Sequence, residues 1–322
     1  MNVLVFGGAG YIGAHAVIRL LDAGHFVCVF DNFSTGEILN VDRRALVFKG
    51  DILSDIDLEK IFKNYRFDAV MHFCGLKSSS DSMLDPSIYS KVNITGTLKV
   101  LEVMLKNKVR NFIFSSSSAV YGETKSQLVD EDHNLCPISY YGFTKLEVER
   151  ILKWYTKITE LNFISLRYFN AAGYDLDNGI KVPEKNSQNL IPKIMNVLTG
   201  KEKKLKIFGS DYDTKDGTCV RDFIHVNDIA FAHLEALEYL RYNQSPLFLN
   251  IATGSCHTVL EIVKCFEKLS LKNVDYEFVA RRVGDSSVVV SKTKYKNFPL
   301  NWKPVHSSLD NIISSVLKMH KM

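Results

Sequence analysis

The chain has 322 residues, 46% hydrophobic and 24% charged, with a formal charge of only +4. That balance belongs to a globular protein with ample core; it offers no basic arm or arginine-rich helix for nucleic acid and no apolar run for a membrane. The six cysteines (28, 74, 136, 219, 256 and 265) form no C-x-x-C pair or metal-ligand spacing, and no leader precedes the first strand, so a reducing cytoplasm and no metal are expected.

Val3-Leu4-Val5-Phe6 reads as a short central strand covered on both faces. Gly7-Gly8-Ala9-Gly10-Tyr11-Ile12-Gly13 follows at once, with glycines at 7, 10 and 13. Small residues there let the backbone turn and approach a pyrophosphate at the positive end of a helix. Ile12, Ala16, Val17, Leu20 and Leu21 recur at helical spacing, and Gly24 ends the run. Residues 26–30 form a second buried strand with Asp31 at its end, about 20 residues beyond the glycines, where adenosine ribose hydroxyls are bound. Its charge repels a 2′-phosphate, so NAD is expected over NADP. Residues 32–42 read as a loop containing Ser34, Thr35 and Gly36, and 46–48 as a third strand ending near Asp51-Ile52. Asp51 is placed to accept from the adenine amino group.

A helix is predicted over 57–65 and a fourth strand over 68–73, running into Cys74-Gly75-Leu76-Lys77. Ligands of doubly wound sheets lie beyond the carboxyl ends of strands, so this turn should border the cofactor. One long helix is predicted from 89 to 106, with Asn93 able to reach back to that turn. The fifth strand, 111–116, opens into Ser117-Ser118-Ala119-Val120-Tyr121-Gly122, whose hydroxyls fall beside the expected nicotinamide. Residues 123–139 read as polar and irregular. Tyr141-Gly142-Phe143-Thr144-Lys145 then opens a helix in which Tyr141 and Lys145 share a face. A phenol is a poor base at neutral pH, but a neighbouring ammonium and a nicotinamide cation both favour its phenolate. The sixth strand is predicted over 163–170. After about residue 175 the β–α alternation is lost, which divides the chain into a dinucleotide half, 1–175, and a smaller substrate half, 176–322, with the chain crossing back between them. The charge run 200–206 reads as a solvated helix end or turn. The fold class is therefore α/β, a Rossmann-type doubly wound parallel sheet with a smaller α/β substrate-binding domain.

With these motifs placed, the chain resembles the extended short-chain dehydrogenase/reductase family, and within it the UDP-hexose 4-epimerases. The matching stretches are 114–122 (FSSSSAVYG), 166–173 (LRYFNAAG), 189–192 (NLIP), 207–209 (IFG), 216–228 (DGTCVRDFIHVND), 281–285 (RRVGD) and 302–304 (WKP). The resemblance implies that Tyr141 takes the proton of the sugar 4-hydroxyl while C4 is oxidised by bound NAD, and that the sugar swings over before C4 is reduced from the other face. Ser117 would bind that hydroxyl, and Lys145 would hold the phenolate and the nicotinamide ribose. NAD would be lined by Gly7, Gly10, Tyr11, Ile12, Gly13, Asp31, Asn32, Phe33, Ser34, Thr35, Gly36, Asp51, Ile52, Phe73, Cys74, Gly75, Leu76, Lys77, Asn93, Ser115 and Phe169. The UDP-sugar would be held by Asn170, Asn189, Leu190, Lys206 through its backbone, Phe208, Arg221, Arg282 and Asp285. A homodimer through the helices at 89–106 and 142–160 is a further implication. Tyr140 stands where the family often has proline, and Ser118-Ala119 where it often has Ala-Thr. Val289 replaces a bulky tyrosine, which implies room for N-acetylated sugars. Alternatives of the same fold are a UDP-pentose or UDP-uronate 4-epimerase, a 4,6-dehydratase and a non-catalytic NAD sensor. The dehydratase needs an Asp-Glu pair where Ser118-Ala119 stand, and the sensor has no use for Ser117, Tyr141 and Lys145 together.

Overall fold

Alternation within the apolar runs decides the layers. The computed structural model describes every residue except 125–127, 176, 178, 186, 283–285, 293–294 and 296–297. Strands β1 (Asn2–Phe6), β2 (Phe26–Asp31), β3 (Leu46–Lys49), β4 (Ala69–His72) and β5 (Asn111–Ser117) come first, followed by the short β6 (Leu128–Val129). They are followed by β7 (Asn162–Tyr168), β8 (Asn170–Ala172), β9 (Leu205–Phe208), β10 (Val220–Arg221), β11 (Phe223–His225), β12 (Leu247–Ile251), β13 (His257–Thr258), β14 (Tyr276–Val279) and β15 (Val288–Ser291). Seven of these make one parallel sheet, ordered β12-β7-β5-β4-β1-β2-β3. Side chains point alternately to its two faces. Val3 and Val5 face α1 (Tyr11–Asp22) and α8 (Val226–Tyr242); Leu4 and Phe6 face α2 (Asp55–Asn64), α5 (Gly96–Lys106) and α6 (Tyr140–Ile158).

The chain runs outward from β1 to β3 and then returns to lay β4 on the other side of β1. The loops after β1 and β4 therefore diverge, opening a crevice at the carboxyl edge. A third core joins α7 (Leu190–Leu198), β9, α9 (Val259–Ser270) and α10 (Leu309–Met319) through Ile194, Phe266, Ile312 and similar residues. Because β12 completes the large sheet and α8 covers one of its faces, the chain beyond 175 contributes to both layers.

Several elements differ from the sequence expectation. The helix foreseen over 89–106 consists of α4 (Pro86–Tyr89), a single π-helical stretch over Ser90–Thr95, and α5. The wider turn aims Asn93 inward. The sixth strand stops at Tyr168, because Phe169 N donates to Ile251 O and Asn170 N to Asp222 O, which hands the chain over to β8 beside β11. Lys206 lies in β9, paired with Glu277 of β14, and not in a turn. Residues 128–129, in the stretch read as irregular, pair with β15.

The first glycine turn has little room for a side chain. Gly7 has φ +76°, and a Cβ there would lie 2.7 Å from Cys74 N. Gly200 shares that φ, but nothing lies within 4 Å. Gly200→Ala is expected to lose roughly 1–2 kcal/mol from the dihedral alone. Gly7→Ala should lose measurably more in urea denaturation, because the backbone of the turn after β4 must also shift.

Candidate active site

The glycine loop is packed backbone to backbone. Gly7 N donates to Phe30 O at 2.9 Å, Gly10 N to Gly7 O at 3.1 Å, and Ala14 N to Gly10 O at 2.9 Å. A Cβ on Gly13 would collide with Gly7 O, so α1 begins directly against the loop. Gly10 caps α1 without a side chain, leaving the first amides available to an anion. Asp31 is buried at the end of β2. Its carboxylate accepts from Ala9 N at 2.9 Å and Phe33 N at 2.8 Å. Burial raises its pKa while these two bonds pull it down. Two bonds leave lone pairs for vicinal hydroxyls. Asn32 donates to Asp51, whose other oxygen accepts from Leu53 N, and Ser34 N donates to Asn32. Glu37 N donates to Ala9 O, and a Cβ on Gly36 would touch Ala9, so the loop carrying Thr35 folds down onto the glycines. These features fit a dinucleotide with a free ribose 2′-hydroxyl. The Ile52 side chain packs in the core under α5, and the Tyr11 phenol donates to Gly173 O.

One buried amide joins the crevice to the helix that carries the tyrosine. Asn93 accepts from Leu76 N at 2.8 Å and donates to Leu76 O and Thr144 Oγ1, each at 3.0 Å. It thus fixes the Gly75–Leu76 turn to α6. Phe73 packs on His233 with 4.6 Å between centroids, Cys74 has its thiol pKa raised by burial, and Lys77 pairs with Glu184. Helix α6 is capped by Ser139 Oγ, which accepts from Gly142 N, while Tyr141 N donates to Ser82 Oγ at 2.9 Å. Tyr140, at the departure from the family pattern, lies 2.6 Å from Ser90 Oγ.

Lys145 is 5% exposed. Its Nζ donates to Ser115 O at 2.7 Å and lies 4.9 Å from the Phe114 ring centre and 5.9 Å from that of Tyr141. Burial lowers its pKa to about 8, against the support of Cys74 and Glu149. Burial pushes the Tyr141 phenol up to about 12, opposed by a hydrogen bond with Ser117. Ser117 Oγ also accepts from Ala119 N at 3.2 Å. The three residues foreseen as catalytic therefore come together. A positive ring beside the phenol would lower its pKa toward the working range.

The residues foreseen for the second ligand lie on the smaller layer and its junction. Phe169 and Val289 share a buried cluster with Val120, Tyr121 and Leu146. Val289 is in register with Arg221 across β10 and β15. Asn170 Nδ2 donates to Asp222 O, Asn189 and Leu190 stand at the start of α7, and Lys206 and Phe208 lie on β9. Arg221 donates to the carbonyls of Val220, Ser286 and Ser287, and Arg282 stacks 3.8 Å from the Phe208 ring centre. Asp285 lies outside the described residues. Sequence reasoning missed Ser82, Thr144 and Glu149. Only Glu149 left a signal there, four residues after Lys145 on the same helical face.

Fold and site define a doubly wound, dinucleotide-binding α/β protein with a buried tyrosine–lysine pair at the switch point of its sheet. Residues 3–252 match the family model described as the NAD dependent epimerase/dehydratase family. The chain belongs to that family. It is 38% identical over 322 residues to the UDP-glucose 4-epimerase of Lactobacillus helveticus, covering 100% of this chain and 97% of that one. It is also similar to the solved UDP-glucose 4-epimerase from Bifidobacterium longum in complex with NAD+ and UDP. That TM-score is 0.95 at 32% identity, covering 100% of this chain and 98% of that one. The UDP-Glc/GlcNAc 4-epimerase from Campylobacter jejuni gives a TM-score of 0.86 at 36% identity, with 99% of each chain covered.

Because Lys145 is lowered from 10.5 to about 8 on burial, the unfolded chain holds its proton more tightly between those values. Stability attributable to this residue therefore rises as pH increases through that window, by roughly 3 kcal/mol at most. Urea denaturation of the parent and Lys145→Met at pH 7.5 and pH 10 should show the parent's relative stability increasing. A constant difference would contradict the buried ammonium.

Proposed function

We propose that this protein is a UDP-hexose 4-epimerase, interconverting UDP-glucose and UDP-galactose through a 4-keto intermediate with tightly held NAD. The observation that carries this reading is the convergence of Ser117, Tyr141 and Lys145 beside a glycine-loop crevice, in a chain similar end to end to UDP-glucose 4-epimerases. Glycines 7, 10 and 13 and the α1 N-terminus would receive the NAD pyrophosphate, Asp31 the adenosine ribose, and Lys145 the nicotinamide ribose. When bound, NAD supplies the reversible two-electron acceptor for the C4 hydrogen and is restored in each cycle.

The protein's own part is proton movement. Tyr141 as phenolate takes the proton from the sugar 4-hydroxyl, forming O–H on the phenol as the C4–O bond gains double-bond character. Ser117 bonds to the same oxygen and holds it near the phenol. Lys145 keeps the phenolate favoured by charge. On return, the phenol delivers the proton to the C4 oxygen of the sugar's other face. Arg221 and Arg282 would neutralise the diphosphate, and Asn189 and Leu190 at the start of α7 would bind beside it. In this reading the binding roles divide near residue 175.

Six cysteines with no disulfide among the described residues, and no helix long and apolar enough to cross a membrane among them, suit a cytoplasmic enzyme. Exposed Phe143, Trp154 and Ile158 on α6 suit a homodimer through that helix.

Purified protein given UDP-galactose without added NAD should yield UDP-glucose by NMR. Tyr141→Phe should lower kcat by about 100-fold or more while retaining NAD, in keeping with the loss of general acid–base catalysis. Loss of NAD in that variant would mean Tyr141 is structural. Val289, in a cluster with Phe169 and Tyr121, stands where the resembled family carries a bulky tyrosine, and its smaller side chain is read as room for an N-acetyl group. UDP-GalNAc should therefore also turn over, and Val289→Tyr should lose that activity while keeping UDP-galactose. Absence of UDP-GalNAc turnover in the parent refutes the wider specificity.

A further inference from the structure

Beside the proton-transfer site lies a buried ion pair that the chemistry above does not use. Glu149 on α6 and Arg167 on β7 are each 2% exposed. Arg167 Nε donates to Glu149 Oε1 at 3.0 Å and Nη2 to Oε2 at 2.8 Å, while Ser165 Oγ donates to Oε1 at 2.8 Å. The remaining arm, Nη1, donates to the Tyr121 hydroxyl at 2.9 Å, and that hydroxyl donates to Asn250 Oδ1 at 2.7 Å. The guanidinium sits 5.2 Å from the Tyr121 ring centre and 5.1 Å from that of Phe248.

This run of bonds ends on the two segments whose spacing the reaction needs. Tyr121 closes the tight 3₁₀ turn that Ser117 caps. Glu149 lies one turn beyond Lys145 and two beyond Tyr141 on α6. Arg167 is paired with Ser116 inside the sheet, a rigid point between the two. A buried ion pair is a weak source of stability, since apolar residues of similar volume often serve as well. A bidentate fork on a planar carboxylate supplies orientation, fixing the rotation of α6 more sharply than apolar packing does.

We infer that Arg167 and Glu149 are positioning residues for proton transfer, holding the Ser117 turn and the Tyr141–Lys145 helix at a fixed spacing. The turnover part of the test rests on the epimerase reading; the geometry does not. Lys145 faces Tyr141 and Glu149 from its own helix, Cys74 from the turn after β4, His72 from β4, and the Ser115 carbonyl of β5. Glu149 is the carboxylate among these, and it supports the ammonium.

The test uses NAD-loaded parent, Tyr121→Phe and Glu149→Gln. Tyr121→Phe removes one hydroxyl and should lower kcat for UDP-galactose five- to fifty-fold, with KM within twofold, NAD content unchanged and melting temperature only modestly lowered by the buried partners left unpaired. Glu149→Gln should move the alkaline limb of kcat to lower pH, because Lys145 then loses its charge earlier. Ultraviolet titration of the Tyr141 phenol, as a difference from Tyr141→Phe, should show its midpoint raised in Glu149→Gln, a readout that needs no turnover. Parent-like kcat in Tyr121→Phe together with unmoved limb and midpoint in Glu149→Gln would overturn the inference. So would losses of kcat that merely track losses of melting temperature and NAD. A parent that binds NAD but leaves UDP-galactose unchanged defeats the epimerase reading, and the phenol titration then decides the positioning role by itself.

Discussion

A lysine ammonium held out of water is the constraint on which the site depends. Lys145 donates to the Ser115 carbonyl, lies over an aromatic face and has a carboxylate one turn along its helix. Desolvation disfavours its charge. Each of those neighbours works the other way; two are adjacent residues of β5 and the third lies on α6. Burial pushes the Tyr141 phenol up as well, so in the proposed reaction it needs a cation beside it to lose its proton.

The sheet topology makes this placement possible. Turning back after β3 sets the β4 turn next to the glycine loop, so close that Cys74 backbone would meet a side chain on Gly7. Asn93 then binds the β4 turn to α6, which couples the glycine-loop side of the crevice to the Tyr141–Lys145 helix through one amide. The buried Glu149–Arg167 pair removes a carboxylate from water, a desolvation cost that its hydrogen bonds offset; deleting one partner of such a pair typically destabilises by about 3–5 kcal/mol.

Much of this was legible in the sequence because local patterns and global fold agree. Strand, glycine loop, helix, strand and acid follow one another within the first thirty-one residues, and the Tyr141–Lys145 spacing fixes a shared face without knowledge of tertiary contacts. What could not be read depends on partners distant in sequence. Arg167 looks like any charged residue in an apolar strand until Glu149, Tyr121 and Asn250 surround it. Lys206 sits in a run of lysines that reads as solvated, yet pairing with β14 draws it into a strand. The end of the sixth strand is set by carbonyls of Ile251 and Asp222, which no local propensity announces.

The π-helical turn at Ser90–Thr95 has a simple genetic meaning. It amounts to one surplus codon in an otherwise regular helix, absorbed where the chain passes Thr144. Removing that codon would restore an unbroken α-helix and rotate everything upstream by about 100° relative to α5. The helix would survive as a helix, while the amide that now spans turn and tyrosine helix would point elsewhere.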